Sequence, residues 1–148
     1  MTAETDVDLF LEAQDTVWAS VISELTRGRK TSHWMWFVFP QLASLGQSHM
    51  AQLYGIHNLS EASAYLDDPK LRARLLEVSR LILRHRDSTA EAILGPTDAL
   101  KLRSSMTLFS AVPDAPDEFS QILETFYGGA PCPLTRAALR GQSVPRRT

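Results

Sequence analysis

The sequence has too little cysteine for a disulfide framework or a cysteine-based metal centre. Its 148 residues include a single cysteine, Cys132, whereas a disulfide within the chain needs two. The histidines are scattered, and the helix end predicted at Gly55 separates His49 from His57, so we predict no metal site. A domain of this length buries roughly 70% of its unfolded surface and needs neither kind of crosslink to fold.

Long apolar runs and an excess of one charge are also missing. No stretch approaches the ~20 apolar residues that cross a bilayer, and the acidic start at Glu4, Asp6 and Asp8 is unlike a signal peptide. The 15 lysines and arginines against 17 aspartates and glutamates give a net charge of -2, too balanced for a protein that coats nucleic acid. We therefore expect a cytoplasmic protein with no membrane segment and with nucleic acid as a disfavoured partner.

The glycine motifs that cradle phosphates or position nucleophiles are absent. The seven glycines form neither GxGxxG nor GxxxxGK[ST], and no GxSxG, HExxH or EF-hand loop occurs. Cys132 lies between two prolines with no base near it in the sequence, so we do not expect it to be a nucleophile. The sequence predicts no cofactor.

What the chain does contain is a series of short amphipathic patterns. Apolar residues recur every three or four positions over Asp8 to Leu25, and again from Pro69 to about His85, which predicts two longer helices. Residues 32–46 are predicted to form a buried turn leading into a short helix. Further helices are expected to start at Ser48, at Ser60, at Ser88 as a capping box with Glu91, at Thr97 or Asp98, and at Pro116.

Six to eight short helices, with no hairpin signal and no repeat, predict an all-α fold. We expect one domain over residues 8–140, with residues 1–7 and 141–148 as frayed termini. Charge is segregated along this domain: the first 25 residues carry acids only, whereas Lys70 to Arg86 holds six basic residues and one acid. We interpret the basic stretch as a solvated face matched by acids on other helices, with an anion-binding surface as the alternative.

Two segments carry polar side chains in places where a core would not need them. The first runs from Gly28 to Gln41, and its charged, hydroxyl and aromatic groups are suited to phosphate oxygens and to stacking on a base. A histidine within it can exchange a proton near neutral pH. Its candidate binding residues are Arg29, Lys30, Ser32, Trp34, Trp36 and Gln41, with His33 as a candidate catalytic residue. The alternative is that the tryptophans are core anchors and the basic pair is solvated.

The second segment runs from Asp98 to Phe109. On a helix, Asp98, Lys101 and Ser105 share one stripe, with Ser104 beside them. A lysine among hydroxyls could bind an anion or donate a proton, which makes Lys101 a candidate catalytic residue and Ser104 and Ser105 candidate ligands. The alternative is an Asp98–Lys101 surface pair with serines bonded to the preceding turn.

The runs GRKTSHWMWFVFPQLASLGQS and DALKLRSSMTLF closely resemble the bacterial family known as domain of unknown function 1810. So do YGIHNLSEASAYLDDPKLRARL and FYGG, and the resemblance extends from about Phe10 to Leu139. It implies a small all-helical, cytoplasmic protein and carries no established activity. The label calpastatin, attached to some members, describes a long disordered inhibitor unlike this chain. The chain is also similar in general class to helical proteins that remove ADP-ribose from guanine, but none of their catalytic residues aligns here.

Two classes of function follow. In the first, both polar segments face one cleft and bind, or act on, a phosphate-bearing nucleotide-like anion of the NAD or ADP-ribose kind. In the second, the aromatic block and the basic helix form a protein-interaction surface without catalysis, which requires that Trp34, Trp36 and Phe39 be exposed. The sequence does not say whether the two segments meet, nor what the oligomeric state is.

Overall fold

The computed structural model describes residues 6–144, and over that range the fold is all-α, as the sequence predicts. Nine α-helices and one short 3-10 turn follow one another, and no strand forms among these residues. Their bounds are α1 Val7–Arg27, α2 Met35–Val38, α3 His49–Tyr54, α4 Leu59–Asp67, α5 Pro69–Leu83, α6 Ala90–Leu94, α7 Pro96–Ser110, α8 Asp117–Tyr127 and α9 Pro133–Leu139, with the 3-10 turn at Ala43–Leu45.

Helix α7 lies at the centre of the packing and contacts α4, α6, α8 and α9, while α1 lies against α5. A chain of aromatic rings crosses this core. The ring of Phe109 on α7 lies 5.2 Å from that of Tyr65 and 6.1 Å from that of Phe119, and Tyr65 meets Phe10 edge-on at 5.1 Å. Edge-on and tilted contacts at these distances are favourable for aromatic pairs, so they join α1, α4, α7 and α8 into one core.

Three helix starts differ from the sequence predictions, and for α4 and α6 the reason is that a neighbouring residue provides the cap. Asn58 rather than Ser60 caps α4, and Thr89 rather than Ser88 caps α6, its hydroxyl accepting from the Ala92 N–H at 3.0 Å. Helix α7 begins earlier than predicted, at Pro96 after Gly95. Because Asp98 therefore lies inside the first turn instead of capping it, its carboxylate is available for other partners.

The basic stretch on α5 is matched by acids on two other helices. Arg74 pairs with Asp15 on α1 at 2.6 Å, and Arg80 pairs with Glu118 on α8 at 2.7 Å. Burial raises the pKa of Glu118, but the hydrogen bond from Arg80, a backbone hydrogen bond and the charges of Arg80 and Arg72 together outweigh it, so the net pKa is lowered. This arrangement agrees with the interpretation of the stretch as a solvated, charge-matched face.

The predicted frayed termini fall partly outside the described residues, which exclude 1–5 and 145–148. Near the C-terminal limit, the side-chain oxygen of Gln142 accepts a hydrogen bond from the Leu59 N–H at 2.8 Å. Within residues 6–144, no helix is both long enough and apolar enough to cross a bilayer.

Candidate anion-binding groove

The two polar segments meet at a single carboxylate. The ammonium of Lys30, from the loop after α1, lies 2.8 Å from Asp98 Oδ2. The ammonium of Lys101, one turn along α7, lies 3.1 Å from Asp98 Oδ1. All three side chains are largely buried, with exposed fractions of 8% for Lys30, 17% for Asp98 and 20% for Lys101. The cluster therefore holds two cations and one anion in a partly desolvated position.

The backbone around Lys30 fixes the position of its side chain. Helix α1 ends at Gly28, whose φ of 79° lies in the left-handed region that favours glycine. Two residues later the Lys30 N–H donates to the Ile93 carbonyl at 2.7 Å, which ties the loop to α6. The Lys30 ammonium also donates to the Ser32 carbonyl at 2.6 Å. The lysine is thus held at both its backbone and its ammonium.

A buried carboxylate on α1, Glu24, organises the same loop. It accepts hydrogen bonds from the N–H groups of Thr31 and Ser32 at 2.7 and 2.9 Å, from the Ser32 hydroxyl and from the Trp34 indole at 3.1 Å. Burial raises the pKa of Glu24, but these donors outweigh it and lower the pKa to about 2. Because its charge is satisfied by the loop itself, Glu24 fixes the shape of residues 31–34.

Asp98 is charged for a comparable reason. Burial raises its pKa, but the hydrogen bonds from Lys30 and Lys101 and the charges of these two lysines together outweigh it, so that the net pKa lies below its usual range. Its place in the first turn of α7 adds the favourable field of the helix N-terminus. Asp98 is therefore an anion at neutral pH and holds both ammonium groups in place.

A surface groove of about 390 Å³ opens beside this cluster. Residues 30–33 form one wall and residues 94–98 the other, so Lys30, His33, Thr97 and Asp98 all line it. Helix α7 starts at the second wall, and no side chain caps its first turn. Uncapped helix N-termini present backbone N–H groups and a partial positive charge, both of which favour anions.

The tryptophans of the first segment lie beneath the cluster rather than in the groove. Trp34 is 1% exposed and has the Lys30 ammonium 5.0 Å from its ring centre. Trp36 is half-buried, and the Lys101 ammonium covers its ring at 4.1 Å. Phe39 is fully buried. The prediction that Trp34 stacks on a base does not agree with this burial, and the aromatic block does not form an exposed interaction surface.

The remaining predicted site residues do not line the groove. Arg29 is exposed, and its backbone N–H donates to the Glu24 carbonyl at 3.0 Å. Gln41 takes part in the fold through its carbonyl, which accepts from the Ile56 N–H at 2.9 Å. Lys101 lies beyond Asp98, outside the groove lining.

The two serines of α7 are core residues. Ser104 is buried and donates to the Leu100 carbonyl at 3.2 Å, one turn earlier. Ser105 is fully buried, and its hydroxyl has no hydrogen-bond partner among the described residues. Both were predicted ligands, and the helical stripe that suggested them faces the core at these two positions.

Sequence reasoning missed Glu24, which has the most hydrogen-bond partners of the acids around the groove. The available signal was its position: an acid on the inward face of α1, next to the apolar Leu25, four residues before the glycine that ends the helix. A carboxylate on an apolar face requires donors, and the hydroxyl-rich loop that follows supplies them.

These features define a small all-helical domain with two ion-paired lysines beside a surface groove. Residues 4–139 match the family described as Protein of unknown function (DUF1810), and the chain belongs to this family, which confirms the resemblance found in the sequence. The chain is similar to the crystal structure of the conserved hypothetical protein Rv1873 from Mycobacterium tuberculosis, with 46% identity and a TM-score of 0.89 over 93% of this chain and 100% of that one. No match is found among the curated proteins.

Proposed function

We propose that the groove between residues 30–33 and the start of α7 binds a phosphate group carried by a nucleotide-like ligand of the ADP-ribose or NAD kind. The observation that carries this proposal is the pair of ammonium groups on one carboxylate, Asp98, which leaves one positive charge in excess in a largely buried position. Desolvating an unmatched charge is costly. A phosphate in the groove offsets that cost.

The groove offers three kinds of donor to such an anion. Lys30 supplies a charged donor, and the uncapped start of α7 supplies backbone N–H groups near Thr97. His33 is exposed at the rim, where its ring can donate to a phosphate oxygen or exchange a proton with the ligand. Lys101 acts through Asp98, since its ammonium donates to the same carboxylate. We assign it to positioning and charge balance, with His33 the group for any proton transfer.

The proposal is tested by thermal unfolding with inorganic phosphate, AMP, ADP-ribose and NAD. A ligand at one hundred times its Kd adds about 2.7 kcal/mol to the free energy of unfolding, so a nucleotide that binds gives a clear rise in Tm. No shift with any of the four at millimolar concentration contradicts the proposal. A rise in Tm with inorganic phosphate but with none of the nucleotides supports an anion site and contradicts the proposal that the ligand is a nucleotide.

The chain supplies its own matched control for the lysines. Lys30, Lys70 and Lys101 are its three lysines, and Lys70 is exposed on α5 with only a 3.9 Å contact to Asp15. Lys30→Gln is expected to abolish the nucleotide-induced rise in Tm, whereas Lys70→Gln leaves it unchanged. If Lys30→Gln does not fold, His33→Ala replaces it, because His33 is exposed and its loss does not disturb the core. Equal shifts in all variants place the ligand elsewhere.

A further inference from the structure

A second groove, of about 320 Å³, lies at the other end of α7 between that helix and α9. Helix α7 begins at the first groove and ends at this one, and its fifteen residues span about 20 Å. The two grooves share no lining residue. The second is lined by Thr107, Ser110, Ala111, Pro131, Arg136, Leu139 and Arg140.

Two arginines dominate the charge of this second groove. Arg136 lies in the last turn of α9 and Arg140 directly follows that helix, and both are exposed and line the groove. Neither guanidinium makes a hydrogen bond or an ion pair with any residue from 6 to 144. Two cations that line one groove repel each other, and a guanidinium presents a planar fork of donors that matches a carboxylate. The pair therefore favours an oxyanion between them.

The rest of the groove is apolar or already hydrogen-bonded. Ala111, Pro131 and Leu139 contribute apolar surface. The Thr107 hydroxyl accepts from the Cys132 N–H at 2.8 Å and donates to the Arg103 carbonyl at 2.8 Å. The Ser110 hydroxyl donates to the Thr107 carbonyl at 3.1 Å. Because both hydroxyls are engaged, this part of the groove favours an apolar group.

The second groove lies at the C-terminal end of α7. The alternative role for its two arginines is therefore purely structural, as cations that complement the helix dipole. Such residues can donate to the last carbonyls of the helix. Arg136 and Arg140 make no such bond within residues 6–144. Their donors are therefore available to a ligand.

From these contacts we propose that the second groove binds a small carboxylic acid, with the carboxylate between Arg136 and Arg140 and a short apolar chain over Ala111, Pro131 and Leu139. This site is independent of the phosphate groove. It does not require that the phosphate proposal be correct.

The test uses hexanoate as the probe and the backbone amide NMR spectrum of the full chain as the readout. Hexanoate is expected to shift the amide signals of Ala111, Leu139 and Arg140 in a saturable way. Hexanol, which has the same chain without the carboxylate, should bind at least about tenfold more weakly, as should inorganic phosphate, which lacks the apolar chain. Equal binding of hexanol or phosphate overturns the proposal.

Variants that remove positive charge from the groove, compared with a control variant elsewhere, complete the test. The double variant Arg136→Gln and Arg140→Gln should weaken hexanoate binding at least about tenfold, and since both side chains are exposed its Tm should stay close to that of the parent. Arg84→Gln, at an exposed arginine that ends α5, is the matched control and should leave binding unchanged. Equal weakening in the control, or signals that move only outside the groove, overturns the proposal.

Discussion

The ammonium of Lys30 lies 2.8 Å from Asp98 Oδ2, and this ion pair joins the loop after α1 to the first turn of α7. Asp98 is shared, since Lys101 holds its second oxygen. Removing a partner from a buried pair leaves an uncompensated charge, which costs far more than losing a surface salt bridge. The carboxylate is thus the residue on which both the local fold and the charge of the groove depend.

Asp98→Asn is expected to change the stability of the fold and the affinity of the groove for phosphate in opposite directions. It leaves two ammonium groups without their carboxylate, which should lower the free energy of unfolding by about 2–3 kcal/mol, somewhat less than for a fully buried pair. The same change raises the positive charge beside the groove and should strengthen phosphate binding. Urea unfolding measures the first effect and a phosphate titration the second. A less stable protein that binds phosphate more weakly would contradict the proposed site.

The pH dependence of stability should carry a contribution from Glu24. Its pKa falls from 4.5 in the unfolded chain to about 2 in the folded one, so the unfolded state takes up the proton first as the pH falls. The stabilisation is complete above about pH 4.5 and is lost as the pH falls towards 2. Glu24→Gln should cost about 3 kcal/mol at pH 7. Its difference from the parent should vanish near pH 2, and a constant difference across urea midpoints from pH 7 to 2 would contradict this assignment.

Alanine substitutions at two glycines with the same φ should differ in their effect on stability, because only one of the two positions is crowded by a side chain. Gly28 and Gly129 both have a φ of 79°, but a Cβ at Gly28 would lie 3.0 Å from the His85 ring, whereas one at Gly129 would meet nothing within 4 Å. Gly129→Ala should cost about 1 kcal/mol from the left-handed backbone alone. Gly28→Ala should cost about 1 kcal/mol more, because the imidazole bonded to the Leu25 carbonyl must move. Equal Tm changes would exclude that crowding.

The two serines of α7 should respond to alanine in opposite ways. Ser105 has a fully buried hydroxyl without a partner, so Ser105→Ala removes an unsatisfied polar group and should be neutral or stabilising by up to about 1 kcal/mol. Ser104 donates to the Leu100 carbonyl and contacts the Cys132 thiol at 3.3 Å, so Ser104→Ala should destabilise by about 1 kcal/mol. Calorimetric unfolding compares the two. A large loss for Ser105→Ala would show that its hydroxyl has a use in the protein.

The longer helices could be predicted from the sequence because each carries its own periodic pattern and its own end signals, whereas the short helix α9 at Pro133–Leu139 was not predicted. The predicted helix from Asp8 to Leu25 is observed as Val7–Arg27, and the one starting at Pro69 runs to Leu83. The first residues of the helices are harder to predict. Asn58 and Ser60 are equally good caps in isolation, and so are Ser88 and Thr89. Tertiary packing decides between such neighbours.

The candidate site could be predicted only in part. The pairing of Asp98 with Lys101 follows from helical spacing, and the alternative of serines bonded to the preceding turn is the one observed for Ser104. The contact of Lys30 with Asp98 joins segments far apart in the sequence, and no local pattern encodes it. Trp34 was ambiguous for a related reason, because an indole serves equally as a stacking platform or as a core anchor, and burial alone distinguishes the two.

The ammonium 4.1 Å above the Trp36 indole gives this protein a native optical reporter. Indole fluorescence responds to nearby charge, and a ligand that shifts Lys30 or Lys101 changes the field at Trp34, whose ring lies 5.0 Å from the Lys30 ammonium, and at Trp36. Trp18 lies on α1 against Arg74. Occupancy of the groove should therefore change the emission of the protein's own tryptophans without any attached dye.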